Sequence, residues 1–472
     1  MATESTITQD IIDFIESAQF SDLPDESIQI GKRCMLDTIG LYIAGTTEHS
    51  VQILIDEAED TGGREDAVLL AGGGKKVPAP MAARVLATAG HAHDWDDTQV
   101  SHDPAHVYGL LTHPSVPPLT AALTIGQRLG NVSGKDLMLA FQVGFEVECK
   151  ISEWMLPGHY RRGHHTSGTV GTFGACATAA KLLGLKGEEL ARALGIAGSF
   201  AAGIRCNFGT MTKPLHVGRA AENGITAALL AQRGFTADPT VLDGPWGFLQ
   251  VLGGGFSPEK AAEGLANPLT IVSPGVSIKP YPSGILTHQS MDALLELVTE
   301  HDVKPEDVKH IRFYAGSNIL DPIRYPIAKN HLQAKFSMAG LLAMIILRRQ
   351  AGPAEFTDEF VGGEAMQTMQ RRIETIRDPK IEAQGFEWIR SRIELDTLDG
   401  RTLHKEADKR YRGGPAKPMQ DHEVEHKFRV CCGDAVSAER QKTIIDSVWN
   451  ITELDNIDAI VETLSQIETP TH

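Results

Sequence analysis

The sequence has no apolar run long enough to cross a membrane, and its first residues lack the basic-then-apolar form of a signal peptide. Cysteine is also scarce. Of the six cysteines, four are widely scattered and the other two, Cys431 and Cys432, are adjacent. This distribution suggests neither a disulfide framework nor a Cys-x-x-Cys metal site. We therefore expect a cytoplasmic protein in a reducing compartment, with no membrane partner.

The sequence has fewer basic than acidic residues. It contains 44 lysines and arginines and 61 aspartates and glutamates, which gives a net charge of −17. Such a balance argues against nucleic acid and anionic membranes as partners. It does not exclude an anionic substrate, since a few lysines in a cleft can reverse the local field. Apolar residues make up 42% of the 472 positions, which is ample for a sizeable core in two or more domains.

The most distinctive stretch is residues 163–185, where two adjacent histidines lead into a run of small residues. Thr166 and Ser167 are N-cap candidates and Gly184 is a candidate stop, so a helix is predicted between them. Its glycines and alanines would let other helices approach closely, which is typical of the middle of a helical domain. A histidine at its start would lie at the positive end of the helix dipole, which favours the neutral imidazole that a general base needs. The alternative is a pair of solvated loop histidines.

Apolar periodicity predicts further helices on both sides of this stretch. Residues 69–76 resemble a phosphate loop, but Lys76 stands where serine or threonine is needed and the leading glycine is missing, so a turn is predicted. The predicted helices of this part are residues 7–18, 27–44, 80–93, 119–129, 134–151, 187–202 and 220–234.

The chain changes character after Pro268. Residues 272–282 are extended and proline-rich, while residues 310–314 and 391–395 alternate like half-buried strands. A hairpin turn at Asp399-Gly400 leads to a returning strand at 402–404, and a helix is predicted over 334–348. The helical pattern returns from Pro418. The prediction is a mostly α protein, with a large helical domain from residues 1–270 and 410–472 and an α+β domain at 271–409 inserted between them.

Acidic and histidine side chains cluster after the helix predicted at 80–93. Such residues are ligands for hard or borderline cations. Their spacing matches no defined site, so no metal is predicted. The residues concerned are His91, His93, Asp94, Asp96, Asp97, His102, Asp103, His106 and His113.

Several separate blocks, in this order along almost the whole chain, resemble the MmgE/PrpD family. The resemblance implies a helical large domain built from both chain ends, an α+β lid, a homodimer, and no metal or organic cofactor. The blocks are residues 36–40 (LDTIG), 94–98 (DWDDT), 113–115 (HPS), the helix after His165, 212–216 (TKPLH), 279–282 (KPYP), 334–338 (AKFSM) and 418–428.

The same resemblance implies the site residues. His165 and His113 would move protons to or from carbon, and Lys213 would clamp a carboxylate and stabilise the developing charge. Asp94 would orient a histidine or lysine, because an anionic ligand would repel it. The implied substrate-binding residues are Thr98, Lys279, His216 and Tyr281. The alternative for the lysines is surface charge, and for Asp94 a helix-end role.

Two features depart from the decarboxylases of the family. The stretch between Thr98 and His113 is longer and carries extra His102, Asp103 and His106. The expected active-site tyrosine is replaced by Gly340, which should leave space for a bulkier substrate or for Tyr108 or His106. Poor decarboxylation of cis-aconitate is therefore expected.

The resemblance implies a lyase that labilises a group next to a carboxylate. A hydro-lyase similar to 2-methylcitrate dehydratase, acting on a small di- or tricarboxylate, is the leading hypothesis. An epimerase, a cis-aconitate-type decarboxylase and a non-catalytic carboxylate-binding protein are the alternatives.

Overall fold

The structure is a computed structural model, and it describes residues 6–99, 112–155, 158–386 and 388–467. The part of the chain before residue 270 is almost wholly helical. Among its described residues the one sheet is the antiparallel pair β1 (Ala67–Val68) and β2 (Lys76–Val77), which closes the turn predicted at 69–76. The helices are α1 (Ile7–Ser17), α2 (Asp25–Gly45), α3 (His49–Thr61), α4 (Ala79–Ala92), α5 (Val116–Leu129), α6 (Gly134–Trp154), α7 (Gly158–Arg161), α8 (Thr166–Leu183), α9 (Gly187–Phe200), α10 (Thr212–Gln232), α11 (Phe248–Val251) and α12 (Pro258–Ala262).

Helix α8 lies at the centre of this part, against α5, α6, α9 and α10. Glycines permit the close approach. A Cβ atom at Gly224 of α10 would lie 2.6 Å from the backbone of both Thr172 and Cys176 on α8. A Cβ at Gly174 would likewise lie 2.3 Å from the carboxylate of Glu148 on α6. The small residues of α8 therefore determine how near its neighbours lie, as the sequence predicts.

The second part of the chain, residues 281–411, has its own apolar core. Its sheet has the order β4-β3-β5-β6, with β3 parallel to β4 and antiparallel to β5, and β5 antiparallel to β6. Its elements are α13 (His288–Glu300), β3 (Val308–Ala315), α14 (Ser317–Leu320), α15 (His331–Ala334), α16 (Met338–Arg348), α17 (Asp358–Gly362), α18 (Glu364–Gln370), β4 (Ile373–Arg377), α19 (Pro379–Glu382), β5 (Ser391–Thr397) and β6 (Thr402–Glu406). We call this part the lid.

Three helices at the end of the chain return to the first core, which takes its residues from 7–278 and 419–467. They are α20 (Asp421–Cys432), α21 (Ala438–Trp449) and α22 (Asp458–Ser465). Helix α20 packs on α2, where a Cβ at Gly40 would lie 3.1 Å from the Phe428 ring. The predicted fold class, a helical domain formed by both chain ends with an inserted α+β domain, is confirmed.

Some local predictions were wrong. Strand β4 was missed, and the helix predicted over 334–348 begins only at Met338, as α16, because Ala334 ends the preceding short helix α15. The second helix begins after Ser337, whose hydroxyl accepts from the backbone N–H of Gly340 as an N-cap. Within the described parts of the chain, no helix is both long and apolar enough to span a membrane.

Candidate active site

A small pocket lies where the helical part meets the lid. Its volume is about 40 Å³, far below the roughly 300–1,000 Å³ of typical ligand pockets. An apolar wall that includes Phe208, Ile285 and Phe336 faces the polar groups. The predicted site residues that line it are Asp94, Thr98, His113, His165, Lys213 and Lys279.

The carboxylate of Asp94 lies between the two lysines. Its Oδ1 atom accepts hydrogen bonds from Lys213 Nζ at 3.0 Å and from Lys279 Nζ at 2.9 Å. All three side chains are almost fully buried. Burial opposes ionisation of Asp94, but the two ammonium groups outweigh it and hold the pKa of Asp94 well below its ordinary value. One carboxylate thus pairs two lysine side chains.

Asp96 lies behind this group and holds two histidines. His91 Nδ1 donates to both oxygens of Asp96, at 2.9 and 2.8 Å, and His113 Nδ1 lies 3.1 Å from Asp96 Oδ2. The remaining nitrogen of His91, Nε2, then accepts from Lys213 Nζ at 2.7 Å. Burial, aided by the nearby Lys213, lowers the pKa of His91 to about 3, so this ring is neutral. Asp96 therefore fixes the tautomer of His91, and His91 helps to orient Lys213.

Sequence reasoning left His91 and Asp96 out of the site. Both were noted only as metal-ligand types, and their spacing gave no reason to select them. Asp96 lies five residues from His91, and Lys213 lies 122 residues away, so only the fold shows the chain of contacts.

His165 stands immediately before α8 and is its N-cap residue, rather than the predicted Thr166 or Ser167. Its backbone carbonyl accepts from the N–H groups of the first turn, at Gly168 and Thr169. Its ring lies in the pocket wall, where Nδ1 is 3.0 Å from Nδ1 of His216. Burial and the positive charge of Lys213 hold the pKa of His165 well below its ordinary value. The same causes lower the pKa of His216 to about 4.

His164 differs sharply from its neighbour. Its ring stacks on His159, with centroids 4.3 Å apart and an interplanar angle of 7°, and it does not line the pocket. Of the two adjacent histidines, the pocket wall thus contains His165, which the resemblance implies as a site residue. His113, also in the pocket wall, has its pKa lowered by burial, and the nearby Lys279 adds to this effect.

The three remaining predicted residues are Thr98, which lines the pocket, and His216 and Tyr281, which lie beside it. Thr98 pairs through its backbone with Ser277, at 2.8 and 2.9 Å, which links the DWDDT block to the segment before the lid. His216 contacts the His165 ring, and Tyr281 donates to Asp292 Oδ1 at 2.6 Å. Neither His216 nor Tyr281 lines the pocket. The extended stretch with His102, Asp103, His106 and Tyr108 lies outside the described residues.

The expectation that Gly340 opens space in the cleft is wrong. Gly340 lies in the first turn of α16 and is not part of the pocket wall. A Cβ atom there would meet Ser337 at 3.2 Å and Ala328 at 3.5 Å, inside the lid. The glycine therefore gives no ground for expecting poor decarboxylation of cis-aconitate.

The donor atoms of His91, Asp94, Asp96 and His113 lie within 4.8 Å of one another, which is close enough for a metal ion. Two of these four groups already accept from an ammonium group, since Lys213 donates to both His91 and Asp94. A divalent cation would have to displace these positive charges from Asp94. The described residues thus fit a site in which lysine supplies the cationic group.

Comparison with known proteins identifies the family of the chain. The MmgE/PrpD N-terminal domain matches residues 9–261, and the MmgE/PrpD C-terminal domain matches residues 281–451. Cis-aconitate decarboxylase of Homo sapiens is 28% identical over 468 residues, covering 97% of this chain and 94% of the human protein. The Mus musculus enzyme of that name is 26% identical, with 97% and 93% covered, and that of Aspergillus terreus is 25% identical, with 98% and 96% covered. With both domains matched in order along most of its length, the chain belongs to the MmgE/PrpD family.

Proposed function

We propose that the protein is a lyase of small di- or tricarboxylates that moves a proton at the carbon next to a carboxylate, with loss of water as the favoured reaction. One observation carries the proposal. Two buried ammonium groups share the Asp94 carboxylate beside two histidines, His113 and His165, whose pKa values are lowered. This combination binds carboxylate and supplies neutral imidazole in one small, dry pocket.

Lys213 and Lys279 would bind the substrate carboxylates. When a proton leaves the neighbouring carbon, negative charge spreads into the adjacent carboxylate. Fixed ammonium groups stabilise that charge most strongly where water is excluded. The paired Asp94 would keep both groups in place without neutralising them completely.

The two histidines would carry the proton. His165 would take the proton from carbon, since burial and Lys213 keep its ring neutral. The electron pair then forms the carbon–carbon double bond while the hydroxyl group leaves. The protonated His165 would pass this proton to the hydroxyl, which His113 orients by a hydrogen bond, so that it departs as water. His216 would affect the reaction through the His165 ring, which it contacts. Tyr281 would do so through Asp292, to which it donates a hydrogen bond.

Decarboxylation is the second candidate, favoured by the relatives named cis-aconitate decarboxylase. In that reaction the carbon–carbon bond to a carboxylate breaks, carbon dioxide leaves, and a histidine that has taken up a proton from solvent gives it to the carbon that keeps the electron pair. The apolar wall of Phe208, Ile285 and Phe336 would desolvate a carboxylate that neither lysine holds.

The test uses the purified protein with a panel of di- and tricarboxylates in deuterated water, followed by NMR. A hydroxy acid that yields an alkene, with solvent deuterium at the reacting carbon in the reverse direction, supports the dehydratase. Itaconate and carbon dioxide from cis-aconitate would instead establish the decarboxylase. Exchange with inverted configuration and no alkene would establish an epimerase. No exchange and no product across the panel would overturn the proposal. The His165→Ala variant serves as the background control.

A further inference from the structure

The chain makes an unusual turn immediately after α4, at residues 92–95, which we call the Asp94 turn. Asp94 has a φ of +52°, in the left-handed region that a residue other than glycine rarely adopts. Three backbone carbonyls of this turn accept hydrogen bonds from buried lysines. The pairs are Lys335 Nζ with Ala92 O at 2.9 Å, Lys279 Nζ with Asp94 O at 2.8 Å, and Lys427 Nζ with Trp95 O at 2.7 Å.

The three lysines come from different parts of the chain. Lys427 lies on α20, within the same core as the turn, and its ammonium group is also 2.6 Å from Asp37 Oδ1. Lys279 belongs to the segment that leads into the lid. Lys335 lies between α15 and α16 of the lid itself. The lid thus supplies a hydrogen bond to the turn that carries the pocket's carboxylate.

The surroundings of Lys335 suit a side chain that holds the lid against the helical part. It is 2% exposed, does not line the pocket, and its Nζ atom lies 3.7 Å from Glu48 Oε1. Glu48 also faces His331 of the lid, at 3.3 Å, and His93, at 3.3 Å. The ammonium group of Lys335 donates to the Ala92 carbonyl, which lies in the last turn of α4. A cation is favourable at this end of a helix.

We propose that Lys335 is a positioning residue: by binding the end of α4 when the lid is docked, it holds the Asp94 turn so that one carboxylate orients both Lys213 and Lys279. The kinetic test of this inference rests on the proposed function, whereas the structural test does not. Without Lys335 the strained turn can relax, and Asp94 then loses its hydrogen bonds with the two ammonium groups. Both lysines remain, so binding of substrate carboxylates suffers less than the chemical step.

The kinetic test compares Lys335→Met with Lys335→Arg and with Lys329→Met, an exposed lysine of the same lid segment. Misplacement of catalytic groups by an ångström costs about 10²-fold in rate, so kcat of Lys335→Met should fall by that order. KM should stay within about threefold, since the binding groups are retained. Lys335→Arg should recover much of kcat, and Lys329→Met should match the unmodified protein. Unchanged kcat in folded Lys335→Met overturns the proposal.

The structural test uses Trp95, which lies in the turn among Leu41 and Cys431. The five tryptophans are replaced by 5-fluorotryptophan, and the Trp95 signal in the ¹⁹F spectrum is assigned with Trp95→Phe. Lys335→Met should shift or broaden the Trp95 signal and leave the other four unmoved. If the unmodified protein proves inert towards every carboxylate, the proposed function fails, and the Trp95 signal alone decides the role of Lys335. An unmoved signal in a folded variant overturns that role.

If Lys335→Met does not fold, Glu48→Gln replaces it. This variant removes the charge that faces Lys335 but keeps a polar group of the same size. We expect a several-fold lower kcat, an unchanged KM and a shifted Trp95 signal. Full activity with an unmoved signal would contradict the proposal.

Discussion

His164 and His165 are neighbours in the sequence, yet only one of them has the environment of a base. The His165 ring lines the pocket near Lys213, whereas His164 stacks on His159 away from it. This contrast provides a matched pair of variants. His165→Ala and Lys213→Ala should each keep the fold and reduce kcat by about 10²–10⁴-fold, the usual contribution of a general acid or base. His164→Ala should change kcat by no more than a few-fold.

Steady-state kinetics on the substrate found by NMR would measure this difference, with circular dichroism to confirm the fold. Near-normal turnover in His165→Ala or Lys213→Ala would remove that residue from the mechanism. An equal loss in His164→Ala would show that the sensitivity belongs to the segment and not to the ring.

The lowered pKa of His165 has a consequence for the pH profile. An unperturbed histidine protonates near pH 6.5, but burial and the charge of Lys213 keep this ring neutral at lower pH. Because the neutral form is the active base, kcat/KM should stay high as the pH falls through 6.5 and decline only below it. A pH series of kcat/KM measures the acid limb. A limb at or above pH 6.5 would contradict His165 as the base.

Because ammonium groups occupy the Asp94 carboxylate, we expect chelators to leave the activity unchanged. His91, Asp94, Asp96 and His113 are near enough for a metal, but Lys213 and Lys279 already supply the positive charge. Dialysis against EDTA should therefore leave kcat unchanged, as measured beside a sample dialysed against buffer alone. Activity that disappears on dialysis and returns with a divalent cation would refute this account.

At the scale of single elements, α10 and α8 show how the core depends on glycine. A Cβ at Gly224 would lie 2.6 Å from the backbone of α8, which cannot move aside as a flexible side chain can. Gly224→Ala should therefore lower the free energy of unfolding by about 1–3 kcal/mol. The control is Gly362→Ala on α17, where a Cβ meets nothing within 4 Å. Its effect should stay within about 0.5 kcal/mol. Urea denaturation gives both values, and equal values would contradict the close-approach argument.

Helices were the elements that the sequence predicted best, because apolar periodicity persists over many residues. The helix predicted over 187–202 is observed as α9, Gly187–Phe200. The helix predicted over 134–151 is observed as α6, Gly134–Trp154. Strand β4 was missed because only Ile373 of its five residues is buried, so no alternation is visible. Its pairing with β3 depends on a partner about 60 residues away.

The site was predictable only where a family motif marks it. Asp94, His113, His165, Lys213 and Lys279 were found in that way, and the fold brings them to one pocket. Asp96 acts through His91, five residues away, and Lys335 donates to Ala92, 243 residues away, and no spacing in the sequence shows either contact. Gly340 illustrates the opposite error, since a position inferred from a motif turned out to face the interior of the lid.

At the scale of the whole molecule, the pocket belongs to both cores. Asp94 and Lys213 come from the helical part, while Ile285 and Phe336 come from the lid. A volume of about 40 Å³ is too small for the proposed tricarboxylate, so we expect the two parts to separate when substrate enters. Closure would then exclude water as it completes the site, which is the usual benefit of a lid.

The boundaries of the two domains remain a prediction, with residues 1–270 and 410–472 in one and 271–409 in the other. Helix α20 is tied to α2 by the close contact of Phe428 with Gly40 and by the buried ion pair of Lys427 and Asp37. The C-terminal helices should therefore stay bound even after the chain is cut before them. Two exposed basic residues near the boundary, Lys409 and Arg410, are suitable trypsin sites.

Brief trypsin treatment should nick the chain in this segment, with the products identified by mass spectrometry. The two fragments should elute together from a size-exclusion column under native conditions and separate in urea, because the C-terminal helices contribute part of the first core. A chain truncated after residue 417 should aggregate when expressed, since α2 would expose the apolar surface that α20 covers. A stable, folded N-terminal fragment without α20, α21 and α22 would show that the first domain does not require the end of the chain.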